Sequence, residues 1–135
     1  EISEAFKSGA IDAVIVCPSN PYVSIAPILA VPAISNFLST AGVPVIVVSP
    51  IVGGQAIKGP AAKMMSELGG LPSAHSIATH YQDLATAIVI DNADAASTAS
   101  IEALGMQVLV TDTIMKSASD KARLADDILA FAGRR

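Results

Sequence analysis

Val45-Ile46-Val47-Val48-Ser49-Pro50-Ile51-Val52-Gly53-Gly54-Gln55-Ala56-Ile57-Lys58-Gly59-Pro60 opens on four β-branched residues and closes on a proline that suits the first turn of a helix. The opening four show no polar alternation, so a strand here is covered on both faces, as strands of a parallel sheet are. Three other short runs have the same character: Ala13-Val14-Ile15-Val16, Ala87-Ile88-Val89-Ile90 and Gln107-Val108-Leu109-Val110. Their β-branched content favours extended backbone over helix.

The stretches between these runs carry helical spacing. Ile34, Phe37 and Leu38 share a face of a helix that Pro32 can start and Gly42 ends. Pro60 opens another, with Met64, Met65 and Leu68 as its apolar stripe and Gly69-Gly70 as its stop. Further helices are expected from about Ser73, over Ala95 to Leu104, and over Ser119 to Phe131. No hairpin signal such as Asn-Gly separates the apolar runs, so strands and helices alternate with right-handed crossovers. The fold class is α/β: a mostly parallel, Rossmann-like sheet of about four strands with helices on both faces. Residues 1–135 form one such domain, and a starting helix over Ile2 to Lys7 makes the beginning resemble the middle of a longer alternating fold.

Composition narrows the function. Apolar residues make up 52% and aromatics 4%, so the core is aliphatic; the net charge is −4. That balance argues against nonspecific nucleic-acid binding, which needs concentrated Lys and Arg. The uncharged stretch Ala13 to Ile57 is broken by six prolines, which a membrane-spanning helix does not tolerate. A single cysteine, Cys17, forms no internal disulfide and agrees with a reducing cytoplasm. Between Ala13 and Ser66 the only charges are Lys58 and Lys63, a positive island in an acidic protein and suited to an anionic small molecule.

Ligands of open parallel sheets gather outside the carboxyl ends of the strands. After the first run comes Cys17-Pro18-Ser19-Asn20-Pro21-Tyr22-Val23-Ser24, where prolines stiffen the backbone and Ser19, Asn20 and Ser24 offer hydrogen bonds. With a helix beginning near Ser24, it reads either as a polar cradle or as an ordinary capped turn. After the second run, Gly53, Gly54 and Gly59 admit close backbone approach, and Lys58 and Lys63 supply charge. A surface loop with solvated lysines is the alternative. Gly54 and Gly59 have the spacing of a P-loop, but Pro60 and Ala61 occupy its Lys and Ser/Thr places, so an ATP-type loop is rejected. His75 and His80 lack a metal-site partner; Asp94 fits a helix N-cap better than a magnesium ligand; Cys17 reads as a buried thiol and Met64-Met65 as core. Asp91 and Thr111-Asp112-Thr113 keep both readings.

The run Asp12 to Met65 resembles the 2-phospho-L-lactate transferase family of coenzyme F-420 biosynthesis. The likeness rests on Cys17-Pro18-Ser19-Asn20-Pro21, Ser24-Ile25-Ala26-Pro27-Ile28-Leu29, Val48-Ser49-Pro50-Ile51-Val52-Gly53-Gly54 and Lys58-Gly59-Pro60-Ala61-Ala62-Lys63-Met64-Met65. His80-Tyr81, Ile90-Asp91, Ala93-Asp94 and Val110-Thr111-Asp112-Thr113 extend it, and the alanine-rich composition is similar to the actinobacterial phosphoenolpyruvate transferase branch. The resemblance implies a C-terminal half of a cytoplasmic transferase. It would pass a phospholactyl or phosphoenolpyruvyl group from a guanosine diphosphate-activated donor to the deazaflavin alcohol Fo, releasing GMP with the help of magnesium. It implies Pro18, Ser19, Asn20 and Ser24 lining the nucleotide and phosphate pocket, with Ser49 also binding substrate. Gly53, Gly54 and Lys58 would close the pocket, and Lys63 would be a charge partner. The magnesium ligands are expected in an absent N-terminal half, so no catalytic residue or metal ligand is assigned. The partners expected are the guanosine nucleotide, the deazaflavin, that N-terminal half and a second copy in a homodimer, with no nucleic acid or membrane. Two alternatives stay open: a nucleotide-sugar-binding regulator of the same superfamily, and a noncatalytic dimerisation fragment.

Overall fold

In the computed structural model, residues 4, 9, 11–40 and 42–133 are described, so all but Glu4 of the expected helix Ile2–Lys7 lies outside them. The chain runs β1 (Val14–Val16), a π-helical turn (Pro21–Ile25), α1 (Ala26–Leu29), α2 (Pro32–Thr40) and β2 (Val45–Val48). It continues through β3 (Ile51–Val52), β4 (Gln55–Ala56), α3 (Ala61–Glu67), α4 (Ala74–Tyr81) and β5 (Ala87–Asp91). A 3-10 turn (Asn92–Ser97), α5 (Thr98–Glu102), β6 (Gln107–Thr111) and α6 (Ala118–Ala132) complete it.

The four long apolar runs form one parallel sheet in the order β1-β2-β5-β6. Every residue of β2 and β5 is buried, which is why those two read as unbroken apolar runs. Val45, Val47, Ile88 and Ile90 point to the face covered by α3, α4 and α5, where Met65, Ile77 and Ile101 pack. Each of these fully buried isoleucines contributes about 1.5–3 kcal/mol by leaving water. Ile46, Val48, Ala87 and Val89 face the other way, against Leu124 and Ile128 of α6. Ile15, in register with Ile46, stays 38% exposed on that second face. No single helix among the described residues is long and apolar enough to cross a membrane, and the apolar pair Pro21–Leu29 and Pro32–Thr40 is bent by 83° at its break.

Several local expectations are corrected. The helix after the first loop starts at Pro21 rather than near Ser24, because the Asn20 carbonyl accepts from the amides of Ser24 and Ile25, both at 3.1 Å. Ile51–Val52 pairs antiparallel with Gln55–Ala56, a hairpin that a search for Asn-Gly overlooks. Its turn is Gly53-Gly54, with φ of +56° and +78°, the left-handed region that glycine enters without a Cβ clash. The segment over Ala95 to Leu104 begins as a 3-10 turn and becomes α-helical only at Thr98. Leu68 leaves the core stripe because α3 ends at Glu67, and it is 67% exposed. Cys17 is exposed, since β1 ends at Val16 and the next residue has already left the sheet.

Candidate functional site

Three loops at the carboxyl ends of the strands enclose a cavity of about 430 Å³. The first wall follows β1 and comprises Pro18, Ser19, Asn20, Val23 and Ser24. Asn20 builds it: its side-chain oxygen accepts from the amides of Tyr22 (2.9 Å) and Val23 (3.3 Å), and its Nδ2 donates to the Met64 sulfur at 3.3 Å. Asn20 is buried, so its side chain shapes the loop, while the hydroxyls of Ser19 and Ser24 make no hydrogen bond among the described residues.

The second wall is Ser49, Pro50 and the segment Ile57 to Pro60. Ser49 Oγ donates to the Ile51 carbonyl at 2.9 Å and accepts from the Ile51 amide at 3.2 Å, so its one hydroxyl hydrogen is already used in turning the chain. Between Ile51 and Ile57 the hairpin swings out, and the Gly53 amide donates to Asp94 Oδ2 at 3.1 Å. Lys58 follows the hairpin and has no carboxylate partner among the described residues.

The third wall, Thr113, Met115 and Lys121, comes from the β6–α6 connection. It is tied down by Asp91 at the end of β5, whose Oδ2 accepts from the Thr113 amide (2.9 Å) and hydroxyl (3.1 Å) while Oδ1 accepts from the Ala93 amide (2.9 Å). Desolvation pushes the Asp91 carboxyl up, but these three donors and the charge of Arg123 outweigh it and hold the group below the usual carboxylate range. Asp91 rather than Asp94 therefore caps the 3-10 turn, which corrects the expected N-cap. Beyond the cavity, desolvation lowers His80, which meets Tyr22 and Tyr81 edge-on with centroids 5.3 and 4.7 Å away. Desolvation, then the nearby Tyr22, pushes Tyr81 up to about 12. Neither group is placed for proton transfer in the cavity.

Of the residues singled out in the sequence, Pro18, Ser19, Asn20, Ser24, Ser49 and Lys58 meet at this cavity. Gly53 and Gly54 lie outside its lining, at the hairpin turn, and Lys63 points to solvent in an exposed pair with Glu67 at 3.7 Å. Thr113, Met115 and Lys121 complete the lining, and no sequence motif joins them to the loops after β1 and β2. Ser117 and Asp120, three apart, do form a capping box, and that pattern marks the start of the helix bearing Lys121. Hollows of about 410 Å³ near Leu38 and Leu84, and about 480 Å³ near Ile15 and Leu129, are lined by no lysine or arginine.

A profile of the 2-phospho-L-lactate transferase CofD family matches residues 4–127. The chain belongs to that family. It is 44% identical over 130 residues to the 2-phospho-L-lactate transferase of Methanocaldococcus jannaschii, covering 96% of this chain and 40% of that protein. The enzyme of that name from Methanococcoides burtonii is 36% identical over 130 residues, covering 96% and 41%. The phosphoenolpyruvate transferase of Streptomyces griseus subsp. griseus is 36% identical over 125 residues, covering 92% and 39%. The chain thus spans about two fifths of the length of these curated relatives. In this 2-phospho-L-lactate transferase family chain, the described residues do not fit a magnesium site. Among the described residues no three His, Cys, Asp or Glu side chains cluster, the Asp91 carboxylate already accepts three hydrogen bonds, and Asp94 already accepts from Gly53.

Proposed function

We propose that this chain supplies the diphosphate-holding walls of a transferase in coenzyme F-420 biosynthesis. The donor is a phospholactyl or phosphoenolpyruvyl group activated by guanosine diphosphate, and the acceptor is the terminal hydroxyl of the deazaflavin alcohol Fo. The acceptor oxygen attacks the phosphorus that bears the organic acid, and the bond from that phosphorus to the bridging oxygen breaks. The bridging oxygen leaves with the electron pair on GMP, and the hydroxyl proton is released. Charge builds on the leaving phosphate, so fixed cations and donors beside it lower the barrier. Magnesium belongs to this reading with ligands from outside the chain.

One observation carries the proposal: an otherwise acidic family member places Lys58, without a carboxylate partner among the described residues, beside the uncommitted hydroxyls of Ser19 and Ser24 at the carboxyl ends of parallel strands. That combination suits a phosphorylated ligand. The test is calorimetric titration of the full natural polypeptide with GDP beside a Lys58→Ala variant. Saturable binding that weakens about tenfold in the variant is expected, since one charge-assisted hydrogen bond is removed. A folded protein that takes up no GDP overturns the reading.

A further inference from the structure

We propose that Lys121 is a second anion-binding residue of the cavity, closing on the ligand from the third wall as Lys58 does from the second. The inference rests partly on the diphosphate reading above and adds a residue and a charge requirement to it.

Lys121 sits in an awkward place. It belongs to the first turn of α6, where the helix amides carry partial positive charge and a cation is unfavourable. The neighbouring acids do not relieve it. Asp120 is consumed by the helix cap, its Oδ2 accepting from the Lys116 amide (2.9 Å), the Ser117 amide (2.7 Å) and the Ser117 hydroxyl (2.8 Å). Asp112 and Asp127 both turn to Arg123, at 3.5 and 3.4 Å. Arg123 thus has two carboxylates while Lys121, two residues earlier, has none among the described residues.

Lys58 is in the same condition on the rim of the same 430 Å³ space. Two lysines without carboxylate partners among the described residues and a helix start thus border one cavity, and a polyvalent oxyanion between them is attracted by all three. The wall carrying Lys121 is fixed before any ligand arrives, because Asp91 grips Thr113 twice and Asp127 Oδ2 accepts from the Thr111 hydroxyl at 2.8 Å. Asp91 is the positioning residue of this wall and Lys121 the binding one. Lysines act as point charges rather than bidentate forks, so the arrangement favours the spread charge of a diphosphate.

The experiment titrates inorganic pyrophosphate and GDP, separately, into the full natural polypeptide and its Lys121→Ala, Lys121→Arg and Lys58→Ala variants, with circular dichroism as the check on folding. Lys121→Ala is expected to weaken both ligands about tenfold to a hundredfold, and Lys121→Arg to restore most of the loss. Pyrophosphate bound as tightly as GDP, with both weakened in Lys121→Ala, upholds the two-lysine site and removes the guanosine reading. Unchanged affinity for both ligands in Lys121→Ala overturns the inference and leaves the guanosine reading standing. Should neither ligand bind the unsubstituted protein, both fall.

Discussion

Replacing Asp91 by Asn keeps the shape and removes the charge that holds the third wall. The side chain is 6% exposed, as is Thr113, and three donors converge on the carboxylate. An asparagine can turn its oxygen to Thr113 and keep those two bonds in weakened, neutral form. Its amide then faces the Ala93 N–H, donor against donor. Losing one charge-assisted bond and weakening two costs about 1–2 kcal/mol, whereas Asp91→Ala, which strands the buried Thr113 donors, costs about 2–4 kcal/mol. In a domain of this size the Asn variant melts roughly 3–10 °C lower at neutral pH. The pH dependence adds a sign. The folded carboxyl lies below its ordinary value of 3.8, so its stabilisation is present above that value and fades as pH falls through the folded one. Urea unfolding followed by circular dichroism should therefore show a gap between the two proteins that is full at pH 7 and narrows below about pH 4. An Asn variant as stable as the original at pH 7, or a gap that does not change on acidification, refutes the account of this wall.

Ser117→Ala removes one half of the α6 capping box and should cost about 0.5–2 kcal/mol in urea unfolding, with Ser117→Thr, which keeps the hydroxyl that both accepts from the Asp120 amide and donates to its carboxylate, costing much less. Gly54→Ala forces a side chain to φ of +78° and brings its Cβ to 3.6 Å from the Pro72 carbonyl. The hairpin should lose about 1–2 kcal/mol, read as a lowered melting temperature. Cys17 should react fully with a thiol reagent in the native protein without denaturant, because it is exposed; a thiol reached only on unfolding would contradict its position.

The sheet was the most legible part of the chain. Its four strands coincide with the four β-branched runs, but the expected cover on both faces holds only for the inner strands β2 and β5; β1 and β6 lie at the two ends of the strand order and are partly exposed among the described residues, Ile15 by 38%. The hairpin was not legible in the same way: β3 and β4 are two residues each, and Gly53-Gly54 reads equally well as a flexible loop. The candidate site divided similarly. Proline and glycine punctuation pointed to the loops after β1 and β2, and Ser19, Ser24 and Lys58 do line the cavity. What residue type did not reveal is which side chains are already occupied. Asn20 and Ser49 look like free donors for a ligand in sequence, but their polar atoms are already engaged with Tyr22, Val23, Met64 and Ile51. Thr113 enters through a contact between the ends of neighbouring strands, from Asp91 to Thr113, and Lys121 follows in the helix after it. No local pattern encodes that contact.

Three cross-braces with remote partners tie down the loops that follow the strands: Asn20 to Met64, Gly53 to Asp94, and Asp91 to Thr113. Anyone exchanging parts between relatives has to treat each pair as a single cassette. A grafted β1 loop moved without its methionine, or a hairpin moved without its aspartate, carries the right letters into a frame that no longer braces them. Chimeras cut between the partners should therefore fail more often than their overall identity suggests, and those that move both ends together should survive.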